Sequence, residues 1–230
     1  MPDDRRTSDG LFVLGTGTGV GKTVVTVGLV GWLRERGVRA VGIKPAQTGH
    51  PPDDDAGVVA DVADDADASV CLRYLEPALA PAVAAREADE PLVYDDLLAG
   101  CRRELADADV GVVEGIGGLR VPLADGREVV DLAVDLDLPT LVVARSGLGT
   151  LNHSSLTVEA LERRGLDVRA VVLNDHEGAT LAERTNPEVL DEMVDPPVFT
   201  LPRLEMETPG AAVDAVRERL PPAVLPGTGT

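Results

Sequence analysis

Apolar residues fall along this chain in two alternating textures. Short continuous runs, "LFVL" at 11–14, "RAVGIK" at 39–44, "VGVVE" at 110–114, "PTLVVA" at 139–144, "RAVVLN" at 169–174 and "PVFTL" at 197–201, lack a polar alternation. That is the pattern of strands buried on both faces. Between them, apolar positions recur at helical spacing from Thr23 to Arg36, closed by Gly37, and from Tyr94 to Ala106. Two more such stretches run from Asn152 to Arg164, closed by Gly165, and from Pro209 to Leu220. Strand and helix in turn predict an α/β fold, a doubly wound, mostly parallel sheet flanked by helices, with ligands at the carboxyl ends of its strands. No internal repeat is evident. A single domain over 1–230 is expected, with 1–10 and the tail "PPAVLPGTGT" at 221–230 as frayed ends.

Charge narrows the range of partners. The 230 residues carry 40 acidic against 21 basic side chains, a net of -19. Such a field repels nucleic acid and implies a heavily solvated acidic surface of the kind suited to high salt. No stretch approaches the roughly 18 to 20 apolar residues of a membrane span, and "MPDDRRTSDG" lacks the apolar centre of a signal peptide, so a cytoplasmic location is expected. Cys71 and Cys101 stand far apart without metal-ligand or disulfide spacing. Of the basic residues only Lys22 and Lys44 are lysine. In so arginine-rich a chain, these two mark places where a compact ammonium on a thin stem is needed.

Lys22 belongs to "GTGTGVGKT" at 15–23, directly after the first strand. The ordinary phosphate-binding loop G-x-x-x-x-G-K-[ST] does not fit, because its first position falls on Thr16; counted from Gly15, the loop is one residue longer. The dinucleotide pattern G-x-G-x-x-G fails in both registers, meeting Val20 or Lys22 where its last glycine belongs. Strand, glycine-rich turn and helix nevertheless form a phosphate cradle of P-loop NTPase type. Backbone N–H groups of Gly17, Thr18, Gly19, Val20, Gly21, Lys22, Thr23 and Val24 would wrap phosphates, with Lys22 on the outer ones and the Thr23 hydroxyl on magnesium.

Other groups gather at the same sheet edge. Lys44 ends the second strand, and the long loop "KPAQTGHPPDD" at 44–54 brings Thr48 with it, as a ligand contact or an ordinary turn hydroxyl. Glu114 ends the third strand before "GIGG" and points at the phosphate cavity as a magnesium ligand. Asp55 either meets the same ion or caps a helix, and Asp53 and Asp54 are close enough in sequence to replace it. After the fourth strand, "RSGLGTLNHSS" is a small-residue turn entering a helix at Asn152, whose N–H groups could receive a carboxylate or whose Asn152 could simply cap. Asn174 ends the fifth strand in a position to read a base edge. With no N-K-x-D guanine signature, adenine is the default.

"GTGTGVGKT", "KPAQTG", "VEGIGGLRVPL" and "VARSGLGTLNH", in that order and at these intervals, closely resemble dethiobiotin synthetase, the ATP-dependent penultimate enzyme of biotin synthesis. The resemblance spans about residues 11–220, and that family has the same lengthened loop. It implies a homodimer acting on 7,8-diaminononanoate, carbon dioxide and ATP with Mg2+. By the same resemblance, Lys22 and Lys44 neutralise the γ-phosphoryl and carbamate oxygens, Thr48 bonds the carbamate, and Thr23, Asp55 and Glu114 hold magnesium. Gly149, Thr150, Leu151 and Asn152 would hold the substrate carboxylate near the dimer interface, and Asn174 the adenine.

Two departures mark this chain. Well-known members of that family have acidic residues at the places of Gly17 and Gly19, and serine, proline and histidine where "APA" stands at 80–82. Two rival readings share the loop. A cobyrinate-type amidase needs a glutaminase domain for which the chain is too short. A partitioning ATPase usually has a signature lysine where Thr16 stands.

Overall fold

The computed structural model describes residues 9–204 and 210–226. The elements are β1 (Gly10–Gly15), α1 (Lys22–Glu35), β2 (Ala40–Lys44), β3 (Gln47–Thr48), α2 (Asp55–Ala63), β4 (Ser69–Cys71), β5 (Tyr74–Leu75), α3 (Pro81–Glu87) and α4 (Tyr94–Asp107). There follow β6 (Val110–Gly118), β7 (Pro122–Ala124), β8 (Arg127–Glu128), α5 (Val129–Leu136), β9 (Thr140–Arg145), α6 (Thr150–Arg163), β10 (Val168–Asn174), α7 (Leu181–Met193), β11 (Val198–Thr200) and α8 (Ala211–Arg219). Seven strands form one parallel sheet in the order β11-β10-β9-β1-β6-β2-β4.

The continuous apolar runs are explained by the two cores they separate. Along β1, Leu11 and Val13 enter one core with Val25, Leu29 and Leu33 of α1 and Val216 of α8. Phe12 and Leu14 enter the other with Leu97 of α4, Leu132 of α5, Leu161 of α6 and Leu190 of α7. Both faces of each central strand are therefore apolar, and no polar alternation survives. The chain order reverses direction at β1, which lies between β6 and β9. The loops after β1, β2 and β6 thus open at one edge, where ligands bind in open α/β sheets.

Several expectations change. Residues 221–226, expected to fray, make a 3₁₀ turn at Pro222–Val224, bury Val224 and Leu225, and receive a hydrogen bond from Arg169 Nη1 to the Leu225 carbonyl at 3.1 Å. Two apolar side chains suffice to dock this proline-rich segment. At the other end Gly10 is already buried in β1, whereas residues 1–8 and 227–230, and Pro209, lie outside the described residues. The helix predicted from Asn152 begins at Thr150, capped by Gly149 in the left-handed conformation, so Asn152 is not the cap. Glu114 was expected to end its strand, but β6 continues four residues further, through "GIGG" to Gly118. Within 44–54 the short strand β3 pairs with β5, and β4 joins the sheet edge. Three or fewer residues in each leave no periodicity to read. Among the described residues no helix is long and apolar enough to cross a membrane.

Candidate functional site

The loop 15–23 leaves β1 and turns into α1 through glycines at two strained points. Gly19 has φ 67, and Gly21, the residue before the helix, has φ 96. A side chain at Gly21 would also collide with Asn174, whose Nδ2 lies 1.9 Å from the position a Cβ would take. No side chain caps α1, so the N–H groups of Lys22, Thr23 and Val24 in its first turn remain available to an anion. Val24 itself packs its side chain on the α1 core. Lys22 Nζ donates back to the Gly17 carbonyl at 3.0 Å.

Thr23, Lys44, Asp55 and Glu114 converge below that loop. Lys44 Nζ lies 2.5 Å from Asp55 Oδ2 and 2.7 Å from Glu114 Oε1. Thr23 Oγ1 is 3.0 Å from both Asp55 Oδ1 and Glu114 Oε1, and its one proton serves either. Burial by itself would lower the pKa of Lys44, but the Glu114 and Asp55 carboxylates outweigh it and hold the ammonium above the ordinary lysine value. Burial would raise Asp55, and Lys44 overcomes that to hold it below the usual carboxylate range. Lys22 lacks such close partners, and burial lowers its pKa to about 8 despite the Glu114 charge.

Asp54 and Asp55 take different places at the helix start. Asp54 caps α2 by accepting from the Gly57 N–H at 2.9 Å, and Tyr74 Oη donates to the same carboxylate at 3.1 Å. Asp55, one residue on, is therefore not the cap and faces Thr23 and Lys44. Gln47 is a residue that sequence reasoning missed. It is buried, and its Oε1 accepts from the Asp55 N–H at 3.3 Å, tying β3 to the first turn of α2. Its one signal was its place within "KPAQTG".

Two cavities flank the loop. The larger, about 860 Å³, is lined by Thr18, Gly19, Gly21, Lys22, Thr23, Lys44, Thr48, Asp55 and Glu114, with Leu79 and Ala80 on the far wall. Thr48 and Ala80, the first residue of the unusual "APA" segment, thus share a cavity with both lysines. The smaller, about 560 Å³, lies on the other side and is lined by Thr16, Gly17, Thr18, Arg145, Thr150 and His153 among others. Thr150 is buried, Leu151 half-buried and Asn152 exposed. The structure does not bring Gly149–Asn152 into the cavity that holds Lys44 and Thr48. Asn174 is buried, and its Nδ2 donates to the Val20 carbonyl at 3.2 Å while Oδ1 has no partner.

Among the described residues no group of three or more His, Cys, Asp and Glu is placed to hold a metal ion by itself. What converges instead is a hydroxyl and two carboxylates. That all-oxygen donor set fits magnesium, which takes one or two carboxylates and completes its shell with water and phosphate.

A family model described as an AAA domain matches residues 9–209. An ATP-dependent dethiobiotin synthetase of Haloferax mediterranei is 59% identical over 209 residues, 91% of this chain and 90% of its own length. The chain belongs to the ATP-dependent dethiobiotin synthetase family. The likeness extends to a synthetase of this family from Saccharopolyspora erythraea, 42% identical over 93% of this chain and 96% of that one. A third, from Aquifex aeolicus, is 34% identical over 85% of this chain and 89% of its own. The fold of this synthetase also matches solved P-loop ATPases. A ParA family ATPase of Chlorobium tepidum superposes with a TM-score of 0.58 at 9% identity, covering 94% of this chain and 93% of its own. The cell division ATPase MinD of Pyrococcus furiosus gives 0.55 at 16% identity over 91% of this chain and 90% of that one. At such identities those likenesses concern fold alone.

Proposed function

We propose that the chain closes a cyclic urea on 7,8-diaminononanoate with carbon dioxide, converting ATP to ADP and phosphate and giving dethiobiotin. The observation that supports it most is the second lysine. Lys44 lines the same cavity as Lys22, oriented by Glu114 and Asp55, where a P-loop alone would need only Lys22. One substrate amine adds carbon dioxide and loses a proton to form a carbamate. A carbamate oxygen then attacks the γ-phosphorus and ADP leaves. The second amine attacks the carbonyl of the resulting carbamic-phosphoric anhydride, phosphate departs and the ring closes.

Each residue has a task in that scheme. The N–H groups of 17–24 and Lys22 bind the phosphates, Lys44 meets the negative charge shared between carbamate and γ-phosphoryl, and Thr48 bonds the carbamate. Thr23, Asp55 and Glu114 would hold Mg2+, which supplies charge neutralisation between the outer phosphates. Asn174 Oδ1, unpaired and buried, would accept from the adenine amino group. Catalysis is then positioning and electrostatics. Gly149, Thr150, Leu151 and Asn152 would hold the carboxylate of the substrate bound by a second copy, since they do not share Thr48's cavity. Leu148, 96% exposed at the tip of that turn, is an apolar contact for such a homodimer. The site of action proposed is the cytoplasm. Thr16 stands where partitioning ATPases carry their signature lysine, so that reading is not favoured.

Incubation with diaminononanoate, bicarbonate and magnesium ATP should yield dethiobiotin by mass. ATP turnover without that product would overturn the proposal. Lys22→Ala and Lys44→Ala should each lower turnover by about 10² to 10³. Only Lys22→Ala should also weaken binding of ATP, measured by calorimetry.

A further inference from the structure

The carbonyls of Gly19 and Val20 are each held by the last residue of another strand of the sheet, β9 beside β1 and β10 one strand further on. Arg145, ending β9, donates through Nε at 3.3 Å and Nη2 at 3.1 Å to the Gly19 carbonyl. Asn174, ending β10, donates to the Val20 carbonyl at 3.2 Å. A peptide unit joins the carbonyl of one residue to the N–H of the next. The two gripped units are therefore those whose N–H groups belong to Val20 and Gly21, in the middle of the phosphate cradle.

We infer that Arg145 is a positioning residue for triphosphate binding, acting with Asn174 as a clamp on the long P-loop. Two consequences follow from the geometry. A carbonyl fixed by a cationic donor orients the N–H on the other side of the same peptide toward the phosphates and, by polarising the unit, makes it a stronger donor. The clamp also favours glycine at position 19: φ is 67, and a Cβ would lie 3.2 Å from Arg145 Nη2. Arg145 forms no ion pair with a carboxylate among the described residues, in a chain with 40 of them, so its guanidinium is committed to the loop. Its own backbone is stitched in place. Asn186 of α7, buried, donates Nδ2 to the carbonyls of Ser146 at 2.9 Å and Gly147 at 3.0 Å, and Ser146 Oγ donates to the Asp175 carbonyl at 3.0 Å.

The inference rests on ATP occupying this loop, and the test separates the two. Binding of ATP, ADP and adenosine, and competition by inorganic tripolyphosphate, would be measured by calorimetry for wild type, Arg145→Leu and Arg145→Lys. Arg145→Leu should raise the Kd of ATP and of tripolyphosphate by about tenfold, the loss of a charge-assisted bond, with adenosine unchanged and Arg145→Lys between the two. Equal affinity of wild type and Arg145→Leu for tripolyphosphate would overturn the clamp. So would a parallel loss of adenosine binding, or a rise confined to the KM of the diamine. Failure of the wild type to bind ATP or tripolyphosphate would instead remove the proposed use of the loop. Unfolding curves for the variants distinguish a lost clamp from a lost fold, which Arg145→Lys would not restore selectively for phosphate.

Discussion

Lys22 and Lys44 have the same side chain and opposite electrostatic situations. The ammonium of Lys22 is buried with only a backbone carbonyl in contact, and its pKa falls from 10.5 to about 8. The charged form is thus disfavoured in the folded chain. Below about pH 8 that penalty is fully present, and stability rises as pH climbs from there toward 10.5, because the unfolded chain binds the extra proton. Lys44 has a raised pKa, so its contribution is present below the unfolded value and is lost only as pH passes the folded one. Lys22→Met should therefore stabilise the nucleotide-free protein at pH 7, by on the order of 3 kcal/mol, and by less at pH 9.5. Lys44→Met should destabilise it by about 3 to 5 kcal/mol, since Asp55 and Glu114 would be left without their cation. Urea unfolding at the two pH values checks both signs. Lysine scarcity singled out these two positions, but only the contacts show that one ammonium is held by acids and the other waits for an anion.

Helix α1 shows what patterning leaves out. Its phosphate-side start was legible in "GVGKT", but its opposite side is shaped by Gly28 and Gly31, which sequence reading passes over as weak helix formers. Both lie against α8: a Cβ on Gly28 would come 2.3 Å from Val216 Cγ2, and one on Gly31 2.3 Å from Val213 Cγ2. In an isolated helix alanine would be favoured over glycine by about 1 kcal/mol. Here the overlap should win, and Gly28→Ala is expected to destabilise by about 1 to 3 kcal/mol. A thermal midpoint raised by Gly28→Ala would mean that α8 can shift away from α1. Whereas β11 had shown itself in "PVFTL", the three-residue strand β4 and the two-residue β3 and β5 remained unreadable for a related reason. Their pairing depends on neighbours that bring backbone groups together, not on their own side-chain alternation.

At the scale of the whole molecule the dominant quantity is the net charge of -19. The ion pairs among the described residues mostly join arginines to single acids at the surface, as Arg163 does with Glu159 and Arg86 with Glu87. Such pairs contribute little each and leave most acids uncompensated. Self-repulsion should weaken the fold in dilute buffer and fade as salt screens it. The melting temperature is therefore expected to rise steeply from dilute buffer to molar potassium chloride. A flat or falling profile would show that the acids are spaced widely enough to ignore one another.

The alternation of apolar runs and helical stretches determined the layered α/β sheet, because strands buried on both faces and helices buried on one have different periodicities that need no partner to be recognised. The order of the loop, "KPAQTG" and Glu114 likewise placed Lys22, Thr23, Lys44 and Glu114 at one sheet edge, since parallel connections return every strand end to that edge. Tertiary structure alone decided which neighbours those groups meet. Asp54 takes the helix cap, so Asp55 is left to face Lys44. Asn174 lies under Gly21, and Arg145 reaches Gly19 across 126 residues of chain. Contacts of that kind depend on rotamers and on distances of a few tenths of an ångström between elements remote in sequence, for which no local pattern exists.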